Sequence, residues 1–355
     1  MKFNRPQLFF EIADRAVGPG HPCFIIAEVG VNHNGNTSLA LDLIDIASAA
    51  GADAVKFQTF SAARLVTKDA QKADYQKRTT DPGESQFEML QKLELSDADH
   101  LVLMERCAKK NIVFLSTPFD EQSADMLRSI NVPAFKTPSG DLTNLPYLAH
   151  IAGFGKPMIV STGMATLAEV DAAVHTITTS GCSQLALLHC VSNYPADPAT
   201  VNLRAMESMH KSFGVPVGYS DHTNGIEISL AAVALGASII EKHFTLDRGL
   251  PGPDHKASLE PGEIVELVRS IRSVESAIGD GRKVPTLEEL STAKAARKSV
   301  VTTRFLRAGE IIGNADIAMR RPGSGIPPAF ASLVIGRTTR VDISDGIPLS
   351  WEMLL

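Results

Sequence analysis

The chain has 355 residues, 44% of them apolar and 21% charged, a balance that suits a globular protein with a sizeable buried core. Its formal net charge of −6 argues against nucleic acid or an anionic membrane as the main partner. No run approaches the roughly 18 apolar residues of a membrane span, and an N-terminus carrying Glu11 and Asp14 lacks the apolar stretch of a secretion signal.

Cys23, Cys107, Cys182 and Cys190 show no close-spaced pair, so reduced thiols and a cytoplasmic location are expected. Residues 1–20 read as an irregular segment, ending in Gly18-Pro19-Gly20, that lies across the bottom or edge of the main domain. A rhythm then begins. The apolar run at 24–30 is followed at 37–50 by a helical pattern with Leu39, Leu43, Ile46 and Ala50 on one face. Further strands are predicted at 54–59, 113–118, 134–139, 158–163, 185–190, 217–222 and 239–245, each separated by a helix-like segment. Capping-box spacing at Ser96/Asp99 and Thr166/Glu169, and an N-cap at Asp120, mark helix starts.

Strands alternating with amphipathic helices imply parallel βαβ units, and eight of them in about 260 residues predict an α/β fold closed as a (β/α)8 TIM barrel. An open doubly wound sheet is the alternative, but no Gly-rich dinucleotide fingerprint follows any strand. One loop, 61–86, is long and polar and reads as a lid, an interface element or solvated surface. After the last barrel helix the pattern changes. A break at 279–281 and a polar helix at 288–297 lead into short alternating strands at 299–303, 334–336 and 339–341. The expected division is a barrel at 1–282, a linker helix at 283–297 and a small β-rich domain at 298–355.

In such a barrel the C-terminal strand ends carry the active site. Here they are densely polar: Glu28; Lys56 and Gln58; Thr117; Lys136, Ser139 and Asp141; Ser161; Ser192 and Tyr194; Ser220 and His222; Glu241 and His243. Residues two apart share a face of a strand, so Lys56 and Gln58 point together, as do Ser220 and His222, and Glu241 and His243. Two lysines near hydroxyls suit a phosphate or carboxylate ligand; paired with Glu28 or Asp141 they would instead be structural ion pairs. His222 and His243 on adjacent strands at matching height suit Mn2+, Mg2+ or Co2+, the alternative being two satisfied core histidines. His189 is a weaker third candidate, with Cys190 facing away from it into the barrel–helix layer. Asp254, in the rigid run Gly249-Leu250-Pro251-Gly252-Pro253-Asp254, can hold sugar hydroxyls or simply cap a turn.

Many ordered motifs resemble the sialic acid synthase family over nearly the whole chain. They include Ile26-Ala27-Glu28-Val29-Gly30-Val31-Asn32-His33-Asn34-Gly35, Val55-Lys56-Phe57-Gln58-Thr59, Ser161-Thr162-Gly163-Met164, Gly218-Tyr219-Ser220-Asp221-His222 and Glu241-Lys242-His243-Phe244-Thr245. The tail, with Arg320-Arg321-Pro322-Gly323-Ser324-Gly325, resembles that family's antifreeze-like β-clip (SAF) domain. The resemblance implies a metal-dependent enzyme that condenses phosphoenolpyruvate with an N-acetylated mannosamine-type hexosamine, giving a nine-carbon 2-keto acid and phosphate. By the same resemblance His222 and His243 hold Mn2+, or Mg2+ or Co2+, and Lys56, Thr117, Lys136, Ser139, Ser161 and Ser220 cradle phosphoenolpyruvate, helped by Gln58 and Ser192. Glu28 is then the acid/base residue, and Tyr194 and Asp254 bind the sugar. Arg321 reaches the barrel mouth of a partner in a domain-swapped homodimer.

Two departures matter. Asp141 stands where the family usually has a glutamate, one methylene longer, which alters the reach of this carboxyl in the catalytic set. The run from Lys136 to Tyr147 looks more like legionaminic acid synthases. N-acetylneuraminate is the product first expected. The alternative is N,N'-diacetyllegionaminate, made from 2,4-diacetamido-2,4,6-trideoxymannose. Rival readings are a synthase using a phosphorylated aldose and a non-catalytic sugar- or ice-binding protein.

Overall fold

The computed structural model describes residues 6–355, leaving aside the side chains of Tyr75 and Arg78. These fall into two compact units that divide between Gly279 and Asp280.

The first unit is a parallel eight-stranded barrel with helices outside it. A short hairpin comes first, β1 (Phe10–Ile12) antiparallel to β2 (Arg15–Val17). Its two turn residues, Ala13 and Asp14, have φ of 47° and 64°, the left-handed pair that a tight hairpin twist demands. The barrel strands are β3 (Phe24–Gly30), β4 (Ala54–Thr59), β5 (Val113–Pro118), β6 (Phe135–Thr137), β7 (Met158–Ser161), β8 (Leu185–Cys190), β9 (Val217–Asp221) and β10 (Ile239–His243). Pairing runs β5-β4-β3-β10-β9-β8-β7-β6, and β5 lies beside β6 to close the ring. As the sequence predicts, this is a TIM barrel.

Alternation along the strands builds two apolar layers. Val55, Phe57, Val160, Leu187 and Ile240 face outward and pack with Leu43 and Ile44 of the helix Thr37–Ala49, Leu103 of Asp97–Lys110 and Leu267 of Pro261–Ile278. Phe24, Ile26, Leu115, Ile159, Leu188 and Ile239 form the lower interior, joined by Phe10, Ile12 and Val17. The irregular N-terminal segment expected across the bottom is therefore in part an ordered hairpin that plugs the barrel floor. With the floor filled, polar side chains are left to the upper interior.

Helix starts follow the sequence. Ser96 Oγ accepts from the backbone N–H of Asp99, whose carboxylate accepts from the Ser96 N–H at 2.9 Å. Asp120 accepts from the N–H of Ser123 at 2.9 Å.

The long loop after β4 carries the helical turns Ala62–Leu65, Asp74–Thr79 and Gln86–Gln91. Lys72 is buried within it, donating to Thr80 Oγ1 at 3.0 Å and lying 3.3 Å from Glu84. In the second unit a helix spans Leu287–Ala296, and β11 (Ser299–Thr302) pairs antiparallel with β12 (Ile317–Arg320). The stretch 334–336, expected as a strand, instead closes the helical turn Ala331–Val334 and ends on Gly336 at φ 86°. Position 339 makes only an isolated bridge, to Leu354. Turns rich in Gly, Pro and Asp stop each ladder before a second pair forms. Val300, Leu306, Ile312, Val334 and Leu349 form this unit's own core.

Candidate active site

The upper barrel interior opens into a cavity of about 470 Å³. It is lined by Glu28, Lys56, Gln58, Thr117, Lys136, Ser139, Asp141, Ser161, Ser192, Tyr194, Ser220, His222, Glu241, His243 and Asp254. Fourteen of the fifteen predicted site residues are among them, and Glu241, Cys190, Gln76 and Gln86, which were not predicted, line the cavity as well. The remaining candidate, Arg321, is exposed on the second unit. Apolar residues of the loop after β4, among them Leu65, Met89 and Leu90, form one wall, so that loop borders the cavity.

Strand register explains the convergence. His243 is paired with Glu28 across β10 and β3, Glu28 with Lys56 across β3 and β4, and Glu241 with Ser220 across β10 and β9. Gly30, just past a bulge in β3 and at φ 56°, leaves room where a Cβ would come 3.2 Å from His243 and 3.3 Å from Glu28.

Four buried charges form the centre. Lys56 Nζ lies 2.6 Å from Glu28 and 3.6 Å from Glu241, and donates to Thr117 Oγ1 at 2.9 Å. Lys136 Nζ lies 3.5 Å from Glu241 on the other side, and Ser220 Oγ donates to Glu241 at 2.9 Å. Two positive and two negative groups thus make a nearly neutral cluster away from bulk water, as burial requires. The carboxyls are split. Burial, aided by repulsion from Glu241, pushes Glu28 up to about 7 against the pull of Lys56. Glu241 suffers the same burial, but Lys136 and Lys56 outweigh it and hold it at about 2. Burial lowers Lys136, an effect only partly offset by Glu241. Sequence reasoning placed Glu241 on the His243 face but gave it no role; its alternation with His243 was the signal.

The imidazole pair lies alongside. The rings of His222 and His243 have centroids 5.7 Å apart, and the Tyr194 ring lies 4.1 Å from that of His222, tilted by 34°. Burial holds both histidines below the ordinary imidazole range, His243 further lowered by His222 and Lys56. Burial thus favours the neutral form, which offers lone pairs. His222 Nδ1 must donate to the Val191 carbonyl, 2.7 Å away, which leaves Nε2 as the acceptor nitrogen. His243 Nδ1 is buried with no hydrogen-bond partner. This donor chemistry fits a divalent cation. No set of three His, Cys, Asp or Glu donors converges among the described residues, so a cation here would complete its shell with water or substrate.

The expectation for β8 is reversed. Cys190 Sγ lies 3.1 Å from Ser139 Oγ inside the cavity, whereas His189 bonds the Val201 carbonyl at 2.6 Å and packs on Tyr219. Register is the reason: Cys190 is opposite inward-facing Ser220, and His189 is opposite Tyr219. His189 is thus no partner for the other two histidines.

Around the rim, the Gly163 N–H donates to Ser139 Oγ at 3.0 Å, and a Cβ at Gly163 would sit 2.3 Å from Ser192 Oγ. Asp141 ends a 3-10 turn, accepts from Asn144 Nδ2 at 3.2 Å, and is raised by burial. Asp254, also buried, is raised to about 6.

Comparison with known proteins identifies the family. The NeuB family profile matches residues 43–283 and the SAF domain profile matches residues 297–355. The chain is 48% identical over 339 residues to the N,N'-diacetyllegionaminic acid synthase of Legionella pneumophila, covering 94% of this chain and 95% of that protein. It is 37% identical to the human N-acetylneuraminate-9-phosphate synthase, over 96% and 95% of the two chains. The crystal structure of N-acetylneuraminic acid (sialic acid) synthetase from Leptospira borgpetersenii, in complex with citrate, superposes with a TM-score of 0.71 at 36% identity. That match covers 81% of this chain and 96% of the other. The chain belongs to the NeuB family and carries a SAF domain at its C-terminal end.

Proposed function

We propose that this protein is an N,N'-diacetyllegionaminic acid synthase, condensing phosphoenolpyruvate with 2,4-diacetamido-2,4,6-trideoxymannose and releasing phosphate. The reaction class rests on one observation: two buried lysines, two buried carboxyls and two buried imidazoles line a single cavity at the barrel mouth. The choice of sugar rests on the 48% identity to a protein named for that product, against 37% to an N-acetylneuraminate-9-phosphate synthase. That favours the diacetamido product over the N-acetylneuraminate first expected.

In this reading the anionic groups of phosphoenolpyruvate displace Glu28 and Glu241 as partners of Lys56 and Lys136. Thr117, Ser139, Ser161 and Ser220 donate to its oxygens, with Gln58 and Ser192 beside them. The arriving negative charge favours proton uptake by Glu28, already near neutrality. Phosphoenolpyruvate C3 attacks the sugar aldehyde carbon; a carbon–carbon bond forms, and the carbonyl electron pair moves to oxygen. That oxygen takes the proton of Glu28, whose carboxylate then accepts one from the water that adds to C2. The C2–O bond to phosphate breaks as the C2 hydroxyl becomes the 2-keto group, its proton leaving on the phosphate. The hydroxyl and lysine array, fixed before charge develops, lowers the barrier by electrostatic preorganisation. A divalent cation held by His222 and His243, Mn2+ or Mg2+ or Co2+, would supply Lewis-acid polarisation of the aldehyde. Asp141 borders the water side, and Tyr194 and Asp254 bind the sugar.

Arg321 completes the sugar site from a second copy of the chain, making the working form a homodimer. A cytoplasmic setting fits the four free cysteines and the absence, among the described residues, of any helix long and apolar enough to cross a membrane.

The test is phosphate release, with product mass measured, on 2,4-diacetamido-2,4,6-trideoxymannose, N-acetylmannosamine and arabinose 5-phosphate. The highest kcat/KM is expected with the first. Preference for N-acetylmannosamine would reinstate the sialic acid reading, and turnover only with the phosphorylated aldose would overturn the nine-carbon reading altogether.

A further inference from the structure

Behind the two histidines, on the opposite face of the same strands, lies the most deeply buried ion pair among the described residues. Lys242 Nζ is 2.9 Å from Asp221 Oδ2, with both side chains at 0% exposure. The two residues are direct partners across β9 and β10, one position before His222 and one before His243. Neither lines the cavity. Both face the barrel–helix layer, where Ser229 of the helix Glu227–Ala234 donates to Asp221 Oδ2 at 2.6 Å. Asp221 Oδ1 accepts from the N–H and the hydroxyl of Thr223 at 2.8 and 2.7 Å, and Lys242 donates to the Thr223 carbonyl at 2.6 Å. The residues on both sides of His222 are therefore tied to the residue before His243.

Stability alone is a poor reason for such a pair. The desolvation of two charges offsets much of their attraction, and an apolar pair of similar volume serves a core as well. What charge and hydrogen bonding add is a single permitted alignment. A one-residue slip of β10 along β9 would turn His243 and Glu241 out of the barrel and Lys242 into it. On the β9 side the ladder ends at this pair, so the ion pair fixes the last aligned position between the two strands. We propose that Asp221 and Lys242 are positioning residues that set the relative height of His222 and His243, and thereby form the divalent-cation site at the barrel mouth. The cation part rests on the function proposed above; the positioning part does not.

The test uses the full chain carrying Lys242→Met alone and together with Asp221→Asn. Thermal unfolding, Mn2+ titration calorimetry without substrates, and a crystal structure of the double variant are compared with the unmodified protein. Lys242→Met leaves an uncompensated buried carboxylate and is expected to lower Tm strongly. The double variant should regain most of that loss. Its imidazole centroids should nevertheless move by about 1 Å, enough to impair a site that needs sub-ångström placement. Its Mn2+ affinity should fall about 10-fold or more, the scale seen when ligand-orienting groups are removed. A double variant that regains Tm and keeps both the 5.7 Å ring separation and the Mn2+ affinity overturns the proposal. Should the unmodified protein bind no Mn2+, the cation reading falls, while the ring separation still decides the positioning role. Ser229→Ala covers a double variant that does not fold. It keeps both charges and removes the one hydroxyl that holds Asp221 Oδ2, the oxygen facing Lys242, so unchanged imidazole placement there also overturns the proposal.

Discussion

At the scale of single residues, the site is an exercise in keeping charge where water is scarce. Asp254 shows the cost most directly. Its carboxyl ionises near 3.8 in an unfolded chain but at about 6 in the folded one, because burial disfavours the charged form. A raised carboxyl contributes its full share of stability below pH 3.8 and loses it as pH rises through about 6. The gap corresponds to about 3 kcal/mol at most. Asp254→Asn is therefore expected to raise Tm at pH 8 and leave it unchanged at pH 3.5, while raising the KM for the sugar about 10-fold, as befits loss of a charge-assisted hydrogen bond. A Tm gain equal at both pH values would show that the carboxylate carries no such strain. The lysines and histidines were legible in the sequence, since polar groups at apolar strand ends need a reason to be there, and Asp254 was legible from the rigid Gly- and Pro-rich run that holds it. Which face each occupies was legible only where a strand held two polar residues in step. His189 and Cys190 offered no such pair, and their inward and outward directions came from the register with β9, which one strand cannot reveal.

At the scale of elements, close backbone approach decides what the strands tolerate. Gly218 lies in β9 where a Cβ would meet the Ile239 carbonyl oxygen at 2.4 Å and the Leu188 side chain at 2.8 Å. Neither β10 backbone nor a core leucine can yield cheaply, so Gly218→Ala is expected to cost about 3 kcal/mol in urea unfolding. A loss below about 0.5 kcal/mol would mean that the two strands part more readily than their ladder implies. Repetition of strand and helix periods made the barrel legible, each unit confirming the next. The hairpin was not, because three-residue strands carry too little period to separate from a coil. The turns after β4 and in the second unit failed for the same reason: segments of four to six residues are shaped by what they pack on.

At the scale of the whole molecule, the proposed use of Arg321 in a second chain makes activity a shared property, and this can be tested by complementation. Arg321→Ala spoils the tail and spares the barrel; Lys56→Met does the reverse. Each should be nearly inactive alone. Co-expressed, random pairing leaves about a quarter of all sites with an intact barrel and an intact tail, so about that fraction of activity should return. A mixture no more active than its parts would confine each site to one chain. The hairpin at the barrel floor carries a consequence of another kind, one of timing. Phe10, Ile12 and Val17 leave the ribosome before every strand they pack beneath, and one of those partners, Ile239, is made more than two hundred residues later. During synthesis the stopper exists long before the vessel. Its apolar side must wait exposed, or in provisional company, until β10 arrives to shut the ring, and contacts of such long range slow the final closure.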